Sequence, residues 1–164
     1  MNNETPEILN LALKDLDELC ALDSRVFPPD AREDRDVFED RLKVFPDGCL
    51  KCVIDGKIVG YLTSELWDSV HSMEINRKAS VFHNKDGQHG FVSAFGVDPD
   101  FQRRGFGTLL LNAYVSLSVE KGIKSIYLRP MKEVLNFYYR YGFKSVGQMT
   151  SDGEVHEVLE LLLS

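Results

Sequence analysis

Gln102-Arg103-Arg104-Gly105-Phe106-Gly107-Thr108 sits between an apolar run, Phe91 to Val97, and a long amphipathic run, Leu109 to Val119. Strand, tight turn and helix is the simplest reading of that succession. Asp98-Pro99-Asp100 ends the strand, because proline cannot donate to a ladder and biases the residue before it. Gly105 and Gly107 permit backbone angles and close approaches that a Cβ blocks. The helix opens with N–H groups that lack intrahelical partners. These donors, at the positive end of the helix dipole, favour an anion such as phosphate. Arg103 and Arg104 bring positive charge to the same place, and Thr108 a hydroxyl to the first turn.

Two phosphate-binding patterns are excluded. A Walker loop needs Gly-Lys-Ser/Thr at the helix start, which is absent. A dinucleotide fingerprint needs a third glycine where Leu110 stands, and the unit comes late in a chain with no second half. At 164 residues, with 43% hydrophobic and 27% charged residues, the chain reads as one soluble globular domain, 1–164. No apolar run approaches the ~20 residues of a membrane span. Met1-Asn2-Asn3-Glu4 is polar and acidic, unlike a signal peptide. A net charge of -7 disfavours nucleic acid and suits a cationic partner such as an amine. Three cysteines, an odd number, point to a reducing, cytoplasmic setting. Cys49-Leu-Lys-Cys52 has the spacing of half a zinc site, but no second pair matches it, so no metal is expected.

In chain order, Glu7 to Ala12 reads as a strand, and a helix from Lys14-Asp15 carries Leu16, Leu19, Cys20 and Leu22 to Val26. Phe27-Pro28-Pro29-Asp30 breaks it. A second helix, Arg32 to Val44, has Val37, Phe38, Leu42 and Phe45 on one face and solvated charges on the other. Cys49 to Ile54 and Lys57 to Trp67 flank Asp55-Gly56, a strong hairpin signal. Beyond the central unit, the helix stripe is Phe106, Leu109, Leu110, Ala113 and Leu117, closed by Lys121-Gly122. Lys124 to Leu128 is a strand, Lys132 to Tyr141 a short helix closed by Gly142, and Phe143 to Met149 and Val155 to Leu163 the last strands, joined at Ser151-Asp152-Gly153. The order β-α-α-β-β-β-α-β-α-β-β predicts a mixed α/β, mostly antiparallel seven-stranded sheet with about four helices on its faces.

Gln-x-x-Gly-x-Gly after Val97-Asp98-Pro99 resembles the acyl-CoA-binding motif of the GCN5-related N-acetyltransferases. Asn136-Phe137-Tyr138-Tyr139-Arg140-Tyr141-Gly142-Phe143 is similar to the family's Phe-Tyr-x-x-x-Gly-Phe. The element order also matches that family's fold over nearly the whole chain. Ser64-Glu65-Leu66-Trp67-Asp68, with Pro28-Pro29-Asp30, resembles the arylalkylamine (serotonin) branch.

The resemblance implies acetyl-CoA as cosubstrate. Its diphosphate would lie on the backbone of Gln102 to Thr108 and its pantetheine beside Phe95, Gly96 and Val97, with Asn136 also at the coenzyme. Tyr138, four residues before Gly142, would protonate the leaving thiolate; a phenol near ~10 suits a thiol near ~8.5. Tyr139 and Tyr141 are its neighbours, with Tyr141 on the same helical face. The strand histidines of the arylalkylamine branch are replaced by Phe91 and Ser93, leaving Glu65 and His89 as the nearest bases, with water carrying the proton to bulk as the alternative. Pro130-Met131 stands where many members carry asparagine. Phe27, Phe38, Phe45 and Trp67 are expected to line an aromatic pocket. The expected reaction is direct acetyl transfer to a small primary amine. Alternatives are acetylation of a protein N-terminus or lysine, and a coenzyme A-binding regulatory module without turnover. A monomer or homodimer is implied.

Overall fold

The computed structural model describes residues 5–151 and 153–163. The leading Met1-Asn2-Asn3-Glu4 and Asp152 of the last turn lie outside the described residues. Eleven regular elements follow one another: β1 Glu7–Asn10, α1 Leu16–Val26, α2 Arg35–Val44, β2 Leu50–Ile54, β3 Lys57–Trp67, β4 His89–Val97, α3 Phe106–Glu120, β5 Ser125–Leu128, α4 Leu135–Tyr141, β6 Lys144–Ser151 and β7 Glu154–Leu162. The sheet order is β1-β2-β3-β4-β5-β7-β6. Every pairing is antiparallel except β4 with β5, where the crossover through α3 sends the chain back in the same direction. The seven-stranded mixed sheet and its four helices agree with the element order read from the sequence.

Helices cover both faces. Leu16, Leu19 and Leu22 of α1 and Phe38 and Leu42 of α2 pack on Ile58, Tyr61 and Ala94. Phe106, Leu110, Leu111 and Tyr114 of α3, with Tyr138 of α4, pack on Leu62, Val92, Ile126 and Leu159. β3 is therefore buried along nearly its whole length, polar Thr63, Ser64 and Glu65 included. Strands covered on both faces lose the alternation of half-buried ones. Each large apolar side chain so removed from water contributes roughly 1.5–3 kcal/mol.

Two sequence expectations shift. The buried stripe of α3 is Phe106, Leu110, Leu111, Tyr114 and Ser118, while Leu109 is exposed. The helix is apolar nearly all round, so its pattern could not fix the facing side. In α2 the buried face includes Arg41, 1% exposed, which the sequence grouped with solvated charge.

Candidate active site

The site is an opening in the sheet. β4 pairs with β5 only at His89–Ser125, Gly90–Ile126 and Phe91–Tyr127. Beyond Phe91, β4 runs on against β3 to Val97, while β5 ends at Leu128 ahead of Pro130. A bulge causes the divergence: Thr63 faces Ala94 and Ser64 faces Val92, so Ser93 is the extra residue. Bulges bend a strand and sharpen its twist. From Val92 onward one edge of β4 has no strand partner, and its backbone groups can accept an extended ligand.

At the end of β4 the chain makes the turn that the sequence singles out. Asp98 is fully buried, accepts the N–H of Asp100 at 2.9 Å, and is held in a two-bond pair by Arg25 at 2.9 and 3.0 Å. Gln102 Nε2 donates to Val97 O at 3.1 Å, so its side chain ties the turn to the strand. Arg103 and Gly105 have φ of +64° and +86°. Gly105 caps α3, and the Leu109 N–H donates to Gly105 O at 3.0 Å. The N–H groups of Phe106, Gly107 and Thr108 thus belong to the helix's open first turn. The Phe106 side chain lies in the core, while Thr108, Arg103 and Arg104 are exposed. The Arg104 guanidinium lies over the Phe101 ring at 5.2 Å.

The glycines divide by role. Gly105 needs its left-handed angle. A Cβ on Gly107 meets only ring atoms of Phe95 and Phe137 at 3.7 Å, ordinary contact, so the fold itself does not require glycine there. A Cβ on Gly96 meets Val26 Cγ1 at 2.9 Å and Tyr61 at 3.0 Å. The space at Gly96 is taken by α1 and β3, so the packing itself calls for glycine there.

The opening holds a cavity of about 90 Å³. Phe91, Ser93 and Phe95 of β4 line it, with Tyr138, the Leu128 to Met131 segment, Phe27 and Glu33 from the α1–α2 connection, and Met73, Glu74 and Ile75 from the β3–β4 connection. Tyr138 is 7% exposed, with ring contacts to Phe95, Phe137 and Phe143. Among the described residues its hydroxyl has no hydrogen-bond partner. Burial pushes the phenol well above its ordinary value, so it stays protonated. Tyr139 points to solvent, and Tyr141 donates to Asn112 Oδ1 at 2.6 Å. Asn136 is exposed and is not among the cavity's lining residues.

The two bases expected from the sequence lie elsewhere. Glu65 is 1% exposed, accepts Trp67 Nε1–H at 2.9 Å, and does not line the cavity. Its strand is sealed on both faces, which points the carboxyl into the core. His89 sits where β4 and β5 are still paired, with Nδ1 2.7 Å from Ser125 Oγ. Of the expected aromatic wall, only Phe27 lines the cavity; Phe38, Phe45 and Trp67 are core residues.

Glu33 is the carboxylate that does line it. Its side chain is 4% exposed. Oε2 lies 3.2 Å from Arg41 Nη2 and accepts the Asn76 N–H at 2.7 Å. Burial raises its pKa, and the Arg41 guanidinium opposes that rise. Arg41 Nη1 reaches Thr63 Oγ1 at 3.5 Å, which is 2.8 Å from Ser93 Oγ at the cavity wall. Asp23, from α1, supports the same segment by accepting the Glu33 N–H at 2.9 Å and the Tyr61 hydroxyl. No sequence signal marks Glu33, which stands in the charged run Arg32-Glu33-Asp34-Arg35-Asp36. Only the break before α2, which turns the segment inward, separates it from surface charge.

A family model described as the acetyltransferase (GNAT) family matches residues 13–143. Over 134 residues the chain is 26% identical to the uncharacterized N-acetyltransferase YkwB of Bacillus subtilis (strain 168), covering 75% of this chain and 59% of that protein. The chain thus spans less than two thirds of that curated relative. Among solved structures, the GphF GNAT-like decarboxylase in complex with isobutyryl-CoA superposes with a TM-score of 0.87 at 20% identity, covering 96% of this chain and 100% of that one. Naa50 of Arabidopsis thaliana, in complex with the bisubstrate analogue CoA-Ac-MVNAL, gives 0.73 at 16% identity, covering 95% and 97%. At these identities the structures speak for the fold.

Proposed function

The chain belongs to the acetyltransferase (GNAT) family, and from that premise we propose that it transfers the acetyl group of acetyl-CoA directly to a small primary amine. The observation that carries this reading is the hydroxyl of the largely buried Tyr138, unpartnered among the described residues and beside the open edge of β4, with the Glu33 carboxylate lining the same cavity. The diphosphate lies on the amides at the start of α3, helped by the charge of Arg103 and Arg104 and the hydroxyl of Thr108. Pantetheine extends along Phe95, Gly96 and Val97, taking the place of the missing strand neighbour.

The amine enters as a cation, drawn by Glu33 and Glu74. Glu33 takes its proton, leaving a lone pair to attack the thioester carbonyl. The C–N bond forms, an N–H of the open β4 edge stabilises the oxyanion, and the C–S bond then breaks. Tyr138 O–H protonates the departing thiolate, the second proton lost by the attacking nitrogen passes through solvent to the phenolate left behind, the proton on Glu33 goes to bulk water, and no acyl-enzyme forms. The cysteines suit this scheme: Cys49 is buried with its thiol pushed up to about 12, a poor nucleophile. Phe27, Met73, Phe91 and Phe95 offer an apolar wall for the amine's alkyl or aryl part.

Thiol release from acetyl-CoA, measured with propylamine, tryptamine, spermidine, an aminoglycoside and an N-terminal peptide, tests the proposal. Release with a small amine is expected. Release with the peptide alone makes the chain a protein acetyltransferase, and tight coenzyme binding without release on any amine makes it a binding module.

A further inference from the structure

The cavity has a roof fastened at both ends. The roof is the stretch 73–77 of the β3–β4 connection, three of whose residues line the cavity. On the β5 side, Arg129 Nε donates to Met73 O at 2.8 Å. On the α1–α2 side everything converges on Asn76. Its backbone N–H donates to Glu33 Oε2 at 2.7 Å, its Oδ1 accepts the Asp34 N–H at 2.7 Å, and its Nδ2 donates to Asp34 Oδ2 at 3.0 Å. Arg41 Nη2 adds a bond to Arg77 O at 3.1 Å. Asn76 has a φ of +62°, a conformation that asparagine tolerates better than most residues.

On the reading that this cavity is an amine site, we infer that Asn76 is the specificity latch of its acceptor chamber: it closes the roof over a space sized for a small primary amine and shuts out peptide chains. Three features join in this inference. The cavity, about 90 Å³, is far smaller than the several hundred Å³ of an ordinary ligand pocket. The three Asn76 bonds tie the α1–α2 connection to the roof, so a peptide entering between those two segments would have to break them. Asn76 itself is exposed. Water therefore competes for its bonds, and local opening lies at the low end of the stability range, as an amine's admission requires. The latch also sets the Glu33 carboxylate, since one of its bonds ends there. Asn76 is a positioning residue in this scheme.

Asn76→Gly tests the latch, because glycine keeps the positive φ and removes both side-chain bonds. Backbone amide exchange at 33–34 and 73–77 should quicken about tenfold while α3 is unchanged. The kcat/KM ratio of an N-terminal peptide over propylamine should rise about tenfold, with acetyl-CoA affinity unaltered. Asp34→Ala, which removes only the Nδ2 partner, should move both readouts the same way and serves if the glycine variant folds poorly. Unchanged exchange, or an unchanged ratio in an enzyme active on propylamine, overturns the inference. If the wild-type protein releases no thiol with any amine, the proposed function falls, and the exchange data alone decide the latch.

Discussion

Glu33 Oε2 lies 3.2 Å from Arg41 Nη2, and the two side chains are 4% and 1% exposed. Such a pair is expensive to break, because one removed partner strands the other's charge away from water. Arg41 also has a buried Nε with no partner among the described residues, so its loss relieves one orphan donor while creating a stranded carboxylate. Arg41→Met should therefore destabilise the protein by about 2–4 kcal/mol in urea unfolding. Adding Glu33→Gln should recover part of that loss. Equal and additive losses would show that the pair is uncoupled.

Tyr138→Phe separates chemistry from folding. The hydroxyl has no partner among the described residues, so its removal should leave Tm unchanged or slightly raised. Turnover should fall about 10²–10³-fold if the phenol is the general acid, with the Kd for acetyl-CoA within about twofold. Calorimetry and thiol release on one preparation give all three numbers. A variant with full turnover takes Tyr138 out of the proton path.

The glycines should respond unequally to alanine. Gly105→Ala forces a side chain into φ +86° and should cost roughly 1–2 kcal/mol, with a matching loss of coenzyme A affinity. Gly107→Ala has room in the free protein and should hold or gain stability. Gly96→Ala should cost about 1–3 kcal/mol through overpacking against Val26 and Tyr61, whether or not coenzyme A is present. A Gly96→Ala protein of normal stability would show that contact with Val26 and Tyr61 is not what calls for glycine there.

Much of the fold was legible because local chemistry and the long-range pattern agreed. Asp55-Gly56 set one hairpin, and Pro99 and Gly105 set the turn between β4 and α3. Tyr138 came from the resemblance to the family's Phe-Tyr-x-x-x-Gly-Phe, and it does line the cavity. That Glu65 lies off the cavity was not legible, because β3 is buried on both faces, and a glutamate there reads in sequence like one on an open strand. The direction of Glu65 depends on how the sheet is covered. Glu33, Arg41 and Asn76 meet from three separate segments, and no spacing along the chain records such a meeting.

The pH dependence of Glu33 gives the sharpest test of its role. Burial raises its folded-state pKa above the ordinary glutamate range near ~4.3, as it also raises Asp23 and Glu65 above theirs. The native state therefore holds protons that the unfolded chain has released. The associated stability is fully present below the unfolded pKa and is lost as pH rises through the folded one. Glu33→Gln removes one of these groups, so its Tm should fall less than the wild type's as pH climbs from about 4 toward neutrality. Activity must move the other way, since only the ionised carboxylate can take the amine's proton. The wild-type kcat/KM should rise with pH along a limb above the ordinary glutamate range, and the glutamine variant should lack that limb and turn over about 10²-fold more slowly. A variant that keeps both the limb and the rate would leave bulk water as the proton's acceptor and Glu33 as part of the roof's fastening alone.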